Sequence, residues 1–590
     1  MMKERWYVTA KKADFQAIGE KFGIDQVTAR IIRNRDIVEE DAIREYLDCS
    51  PRQLHPARLL KDAQKGADLL ARKIAEGKKI RVIGDYDIDG VNASYILITG
   101  LRVCGAQVDH VIPDRVHDGY GINCGMITRA LADGVDTIVT CDNGISAAPE
   151  IAFAKESGLT VIITDHHEVP FSLNAQGEKI YQLPAADAII NPKQADCTYP
   201  YAGLCGAAVA WKFIQVLYQN MGIAVERSFE MIAHVAFATV GDVMDLTGEN
   251  RTLVKLGLQA IHETSNPGLC ALISQNKLDK EQIRSWHFGF VLGPCINASG
   301  RLDTAKRSLQ LLMEPSLEKA SRLAKELVEL NDRRKNLTLQ GLEEAKRLIE
   351  EQGLLNDRVL VVYLPQCHES LAGIIAGRIR ELYHKPVFVL TNAEDGGVKG
   401  SGRSIEAYSM YEEMTKCREL MTKFGGHPMA AGLSMNKENV EQFRRDLNAF
   451  CSLTEEDFIE KIHIDVPMPL YYIRIQLIRE FERLEPFGKG NEKPVFAVRD
   501  VHPLRGNIVG KNKNVLKLVL DDGAGGCMDA VYFGDLEAFL AFLREKSSPE
   551  QVEALLHGAP QQIRFSATYD PSVDSYLGRE KVQVIIRHYC

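Results

Sequence analysis

The chain of 590 residues contains no Walker A loop and no Gly-x-Gly-x-x-Gly following a strand, so neither a nucleotide-driven motor nor dinucleotide chemistry is expected. Its 13 cysteines are scattered, with no pair at zinc-finger or redox spacing, which argues against a disulfide framework and a structural zinc site. Met1–Trp6 opens without a signal-peptide core, and every apolar run is interrupted at strand or helix length. The expectation is a cytoplasmic protein with no membrane attachment. Internal repeats and low-complexity tracts are also missing. So is an excess of positive charge: 71 Lys and Arg against 80 Asp and Glu give a net charge of -9. That argues against an all-over basic coat for nucleic acid, but not against a local positive groove.

What remains is an ordinary globular composition, 45% apolar and 26% charged. A single core rarely grows past about 250 to 300 residues, so several domains are expected. Residues 1–75 read as a mixed, helix-leaning segment. Residues 76–314 begin with alternating apolar runs and helix-like segments, the pattern of a parallel sheet covered on both faces. Residues 315–354 carry one long helical stripe, with Leu323, Leu327, Leu330, Leu337, Leu342, Ala345 and Leu348 on one side. Ser316 is its candidate N-cap and Gly353 its candidate stop, and at 1.5 Å per residue it would span roughly 50 Å. A linker between two lobes is favoured over a coiled coil, because the stripe is short and not strictly heptad. Residues 355–455 form a second α/β unit, and 456–590 turn to short strands that read as a small β-barrel.

Four clusters carry chemistry: Asp85, Asp87 and Asp89; Asp142; Asp165, His166 and His167; and Asp242. The first three follow the β-branched runs Val82-Ile83, Thr137-Ile138-Val139 and Val161-Ile162-Ile163. In an open α/β sheet the loops leaving the carboxyl ends of strands meet in one crevice, so groups far apart in sequence can converge. So many acids in one crevice need cations. Carboxylates with one imidazole suit Mn²⁺, with Mg²⁺ as substitute, and two such ions are a standard arrangement for hydrolysing phosphate esters.

These signatures resemble those of the DHH phosphoesterase superfamily: Asp85 to Gly90, Asp142-Asn143-Gly144, Asp165-His166-His167 and Gly241-Asp242-Val243. Phe424-Gly425-Gly426-His427 resembles the Gly-Gly-His element of the associated domain. Pro113-Asp114-Arg115, Gly119-Tyr120-Gly121, Asn297 to Arg301, Ser401 to Ser404 and Leu484 to Gly488 are similar to the RecJ branch, single-stranded-DNA exonucleases acting from the 5′ end. The resemblance implies a parallel-sheet catalytic domain, a linker helix, an α/β associated domain and an OB-like barrel. It also implies that Asp87, Asp89, Asp142, His166 and Asp242 hold two ions, with Asp142 bridging them. Asp85, Asp142, His166 and His167 would form the catalytic group, His167 facing the phosphate and Asp85 and Asp165 standing close by. Arg115, Arg301, Ser401 and Arg403 would gather the 5′-phosphate, and His427 a phosphate near the scissile bond. In the barrel, Lys511, Lys513, Lys517 and Phe533 are candidate strand contacts. Implied partners are single-stranded DNA, a single-strand-binding protein and a RecQ-type helicase, with the chain acting as a monomer that releases 5′-mononucleotides in DNA repair and recombination.

Some positions depart from the pattern. Ile83 stands where many relatives in the superfamily have His. Asp245 replaces a Pro and could add a carboxylate near the metals, and Gln366 to Ser370 replaces a Trp-His-x-Gly element. Two other readings stay open: an enzyme of the same fold degrading short RNA or cyclic dinucleotides, which would not need the barrel, and a non-catalytic replication scaffold, which should lack ligands.

Overall fold

The computed structural model describes residues 4–115, 117–174, 176–393, 396–575 and 578–590. Its first sheet has five parallel strands: β1 Lys79–Ile83, β2 Gln107–Val111, β3 Thr137–Cys141, β4 Thr160–Thr164 and β5 Ala188–Ile190, in the order 2-1-3-4-5. β3 and most of β1 and β4 are buried, which explains their near-continuous β-branched runs. Alternate residues face opposite layers. Val82, Val139 and Ile162 pack under helices α1 Ile88–Val103 and α4 Gly206–Asn220, while Ile83, Ile138 and Ile163 pack under α2 Cys124–Ala132 and α3 Ala148–Glu156. This strand order reverses between β1 and β3, and such a switch point opens a crevice at the strands' carboxyl ends.

The linker helix Leu317–Glu351 starts at Ser316, whose side chain accepts from the Lys319 amide, and is followed by Gly353 in left-handed conformation. It leads to a mixed sheet of β6 Leu360–Tyr363, β7 Val387–Asn392, β8 Val398–Arg403, β9 Met421–His427 and β10 Ala430–Met435, ordered 9-10-8-7-6. Only β6 and β7 run parallel; the other pairings are antiparallel. In the C-terminal unit, β11 Phe496–Val509 pairs with both β12 Val515–Asp521 and β14 Phe565–Asp574, closing a five-stranded barrel through β13 Cys527–Tyr532 and β15 Lys581–Tyr589. Two helices, Leu536–Lys546 and Pro549–Leu556, lie between β13 and β14.

The start of the chain folds with its end. Strand Glu4–Val8 pairs with Glu460–Ile464, and Ile31, Ile32, Ile43 and Leu47 share a core with Phe481, Phe496 and Phe565 of the C-terminal unit. Residues from Ala57 to Leu70 instead pack on the parallel sheet. Thus the stretch 1–75 is divided between two cores, a partition its amphipathic pattern does not specify.

The barrel is docked by the Leu484–Asn491 segment. Arg251 donates to the carbonyls of Leu484 and Tyr46, each at 2.9 Å, with its guanidinium 3.9 Å from the Tyr46 ring centre. The Ser285 hydroxyl donates to the Phe487 carbonyl at 2.7 Å. Among the described residues, no helix is long and apolar enough to cross a membrane.

Candidate metal centre and phosphate cavity

The loop after β1 is built around close backbone contact. A Cβ on Gly90 would lie 2.6 Å from the Asp85 amide nitrogen, so glycine alone fits. Asp87 caps α1, its Oδ1 accepting from the amides of Asp89 at 2.9 Å and Gly90 at 3.1 Å. Asp89 accepts from the amides of Gly206 and Ala207 at 2.6 and 2.7 Å, held by the positive end of α4. Asp142, just after β3, sits at φ 60°, a left-handed conformation that Asp tolerates better than most side chains. Helix α5, Ile232–Gly241, delivers Asp242 at its C-cap.

Asp165 orients the two histidines. Its Oδ1 accepts from the His166 amide at 2.7 Å and lies 2.8 Å from His167 Nδ1, and its Oδ2 accepts from the Ile145 amide at 2.9 Å. His166 Nε2 then stands 3.1 Å from Asp142 Oδ1, 3.5 Å from Asp89 Oδ2 and 3.8 Å from Asp242 Oδ2. Two three-residue groups of donor atoms result, Asp89 with His166 and Asp242, and Asp85 with Asp87 and Asp142. Asp142 also groups with His166 and His167, so it lies where the two sets meet.

Burial, then mutual repulsion, pushes Asp85, Asp142 and Asp242 well above the usual carboxylate range, and Asp89 up to about 6. Burial and the neighbouring His167 hold His166 down to about 3, leaving a neutral imidazole with a free lone pair. For His167, burial opposes ionisation, but the hydrogen bond to Asp165 and the surrounding acids raise it to about 9. Asp165 is lowered despite its burial, through its hydrogen bond with His167. The Oδ1 atoms of Asp85 and Asp142 are buried with no hydrogen-bond donor. Unpaired hard oxygens, mutual repulsion and one neutral imidazole fit a pair of divalent cations such as Mn²⁺ or Mg²⁺.

A cavity of about 460 Å³ opens beside this centre, between the two lobes, lined by Tyr86, Arg115, Lys399, Ser401, Lys423 and Phe424 among others. Arg115 lies over the Tyr86 ring at 4.7 Å. Arg301 Nη1 donates to the Ser370 carbonyl at 2.6 Å, and the Ser370 hydroxyl donates back to the Arg301 carbonyl at 3.0 Å. Burial, and repulsion from Arg115, Arg334 and Arg403, brings Arg301 down to about 10; Arg403 is lowered by burial and by Arg380 and Arg115. Arg115 and Ser401 line the cavity, and Arg301 and Arg403 lie close enough to Arg115 to repel it. Guanidiniums held together against repulsion suit an anion.

Other candidates fall differently. His427 ends β9 in an exposed hairpin and does not line the cavity. Lys517 lines a groove of the barrel with Arg505 and Asn507, Lys513 lines another, and Lys511 and Phe533 are exposed. Asp245, which could have added a carboxylate near the metals, makes an exposed pair with Lys489 of the barrel joint at 3.0 Å and belongs to none of the donor groups. Within the altered Gln366–Ser370 segment, Ser370 makes the Arg301 contact and Glu369 pairs with Lys399 at 2.9 Å. Tyr120 gave no signal beyond its flanking glycines; its hydroxyl donates to the Asp142 carbonyl at 2.8 Å and lies 3.0 Å from His167 Nδ1. Asn297 Oδ1 accepts from the Ile88 amide at 2.8 Å and steadies the acidic loop.

A parallel sheet with acids and a histidine pair at its switch point, joined by a long helix to a second α/β unit, defines the DHH class. Family models for the DHH family N-terminal domain, the DHHA1 domain and the RecJ OB domain match residues 79–239, 356–453 and 464–588. The single-stranded-DNA-specific exonuclease RecJ of Bacillus subtilis is 32% identical over 99% of this chain and 70% of its own length. That of Dickeya dadantii is 31% identical over 92% of each. The crystal structure of RecJ in complex with Mn²⁺ from Thermus thermophilus superimposes with a TM-score of 0.81 at 26% identity, covering all of this chain and 80% of that one. The chain belongs to the RecJ family.

Proposed function

We propose that this protein is a metal-dependent exonuclease that degrades single-stranded DNA from its 5′ end, releasing 5′-mononucleotides. The observation that carries this reading is the pair of donor sets meeting at Asp142, next to a cavity that the half-buried Arg115 lines, with Arg301 and Arg403 close to it. Asp89, His166 and Asp242 would hold one ion, and Asp85, Asp87 and Asp142 the other; Asp85 thereby joins the ligands rather than standing beside them. When bound, the two ions supply Lewis acidity and neutralise charge developing on the phosphate. His167, partly exposed, faces the site from the residue next to His166 and can offer a hydrogen bond to a phosphate oxygen, while Asp165 keeps its ring in place. Arg115, Arg301, Ser401 and Arg403 hold the terminal phosphate and so fix which end enters.

The barrel, with Lys517 and Phe533 on its surface, would retain the remainder of the strand. The presence of every ligand disfavours the scaffold reading, and a complete barrel disfavours an enzyme for short fragments. The DNA-repair role, the cytoplasmic location, the monomeric state and binding to a single-strand-binding protein or a RecQ-type helicase are part of the same proposal. The test is end-labelled single-stranded DNA, duplex DNA and RNA incubated with Mn²⁺, with and without chelator. Release of mononucleotides from the 5′ end of single-stranded DNA only, abolished by chelator, is expected; attack from the 3′ end or preference for RNA refutes the reading.

A further inference from the structure

The helix that carries Asn297 and Arg301 begins well before them. It runs unbroken through Ser285–His287, a π-helical stretch Phe288–Leu292, and Gly293–Leu302. A π insertion inside an α-helix costs good geometry and is found mostly where function requires it. Phe290, within this stretch, lies beside Trp286, the two rings stacked at 5.9 Å with their planes 24° apart. Both are open to solvent, Trp286 by 58% and Phe290 by 69%. The neighbouring Phe288 is fully buried against Phe237, so the exposed pair is not part of the core.

The pair's position along the helix is informative. Arg301, in the phosphate-gathering cluster, lies in the last turn, and Asn297 touches the acidic loop one turn earlier. Gly300 lets the helix close on that loop, since a Cβ there would stand 2.3 Å from the Tyr86 carbonyl oxygen. Trp286 is 15 residues before Arg301, or about 22 Å at 1.5 Å per residue. Phe290 lies one turn further along the helix toward Arg301. Gly289 packs against Val240, two residues before Asp242, and Val243 is exposed at φ 57°, a strained conformation for a β-branched side chain. At the other end, Ser285 binds Phe487 in the barrel joint. Along this helix the aromatic step therefore stands between the Ser285 contact with the barrel joint and the Asn297 contact with the acidic loop.

We infer that Trp286 and Phe290 form a stacking step for the bases on the 3′ side of the cleaved bond. The inference rests on the exonuclease reading and adds a subsite to it. Aromatic faces accept any base, which suits an enzyme that must move along a strand without regard to sequence, whereas a protein-docking patch would need no alignment with the phosphate cluster.

The chain reports on the idea itself. Of its three tryptophans, Trp211 is fully buried and Trp6 is half-buried beside Glu4, leaving Trp286 as the most exposed. The full chain and its Trp286→Phe, Trp286→Ala and Phe290→Ala variants are titrated, in chelator so that the strand stays intact, with an oligothymidylate of about 20 nucleotides and with an abasic strand of equal phosphate count. Expected results are quenching of tryptophan emission by the thymidylate but not by the abasic strand, and loss of that quenching in Trp286→Phe with affinity retained. Trp286→Ala and Phe290→Ala should bind thymidylate about tenfold more weakly and the abasic strand no differently from the unaltered chain. Quenching that persists in Trp286→Phe, or alanine variants that bind thymidylate within about threefold of the unaltered chain, overturns the inference. Cleavage of the same thymidylate by the unaltered chain in Mn²⁺ is scored separately. If it fails, the activity reading falls; if it succeeds while the variants bind normally, only the stacking step falls.

Discussion

The acids of the metal centre should make the metal-free protein less stable as pH rises. Asp89 moves from 3.8 to about 6 on folding. At about 1.4 kcal/mol per tenfold change in proton affinity, ionising it inside the fold costs on the order of 3 kcal/mol more than in the unfolded chain. Because the folded state binds the proton more tightly, this stabilisation is complete below about pH 4 and is lost as pH climbs through about 6. Asp85, Asp142 and Asp242 are shifted in the same direction. For a unit of this size, 3 kcal/mol corresponds to about 6 to 12 °C in the midpoint of its transition. Scanning fluorimetry without metal should therefore show the catalytic transition falling between about pH 5 and pH 7.5, and Mn²⁺ at about 100 times its Kd should restore about 2.7 kcal/mol per site, most visibly at the higher pH. Asp142→Asn removes one repelling charge where the donor sets meet. It should raise the metal-free midpoint at about pH 7.5 and blunt the response to Mn²⁺. A metal-free midpoint that is flat or rises over this range, or that is unchanged by Asp142→Asn, refutes the reasoning.

Asp142→Ala should reduce turnover by at least about 100-fold in metal-replete assays while strand binding, measured by anisotropy, persists. Arg301→Ala removes both a phosphate contact and the link to Ser370, and should cut the preference for 5′-phosphorylated over 5′-hydroxyl strands by about tenfold, read as the ratio of kcat/KM values. Arg251→Met leaves the Tyr46 carbonyl without its side-chain donor and takes one donor from the Leu484 carbonyl, which keeps the Asn491 side-chain amide at 2.9 Å. It should cost about 3 kcal/mol and weaken binding of long strands more than cleavage of very short ones. Asp245→Ala breaks only an exposed pair and should change activity by less than about twofold.

Strands β1, β3 and β4 of the catalytic sheet were legible because they are buried on both faces and so read as unbroken β-branched runs, each ending in a cluster with its own chemistry, whereas the half-exposed edge strand β2 carries no such run. The linker helix was legible down to its cap, since Ser316 and Gly353 bracket one continuous stripe. The antiparallel strands β8 to β10 were not. Glycines and lysines in Val398–Arg403 and Met421–His427 hide the alternation, and these stretches were visible only as motifs. The two barrel helices were missed because their patterns are short and lie between obvious strands. The sharing of Ile31 and Leu47 with the barrel core depends on a contact more than 400 residues away, which local periodicity cannot encode.

At the centre, residue types announced the candidate donor groups, but sequence could not assign their partners. Asp85 groups with Asp87 and Asp142, while Asp89 turns toward His166 because the end of α4, more than 100 residues on, supplies its two amides. Tyr120 was hidden for the same reason. Its importance comes from the Asp142 carbonyl and the His167 ring meeting at one hydroxyl.

The most direct test of the account is anomalous diffraction at the manganese edge from crystals of the full chain grown with Mn²⁺. Two peaks are predicted, one among Asp89, His166 and Asp242, the other among Asp85, Asp87 and Asp142. A single peak, or peaks only on residues outside these sets, would contradict it.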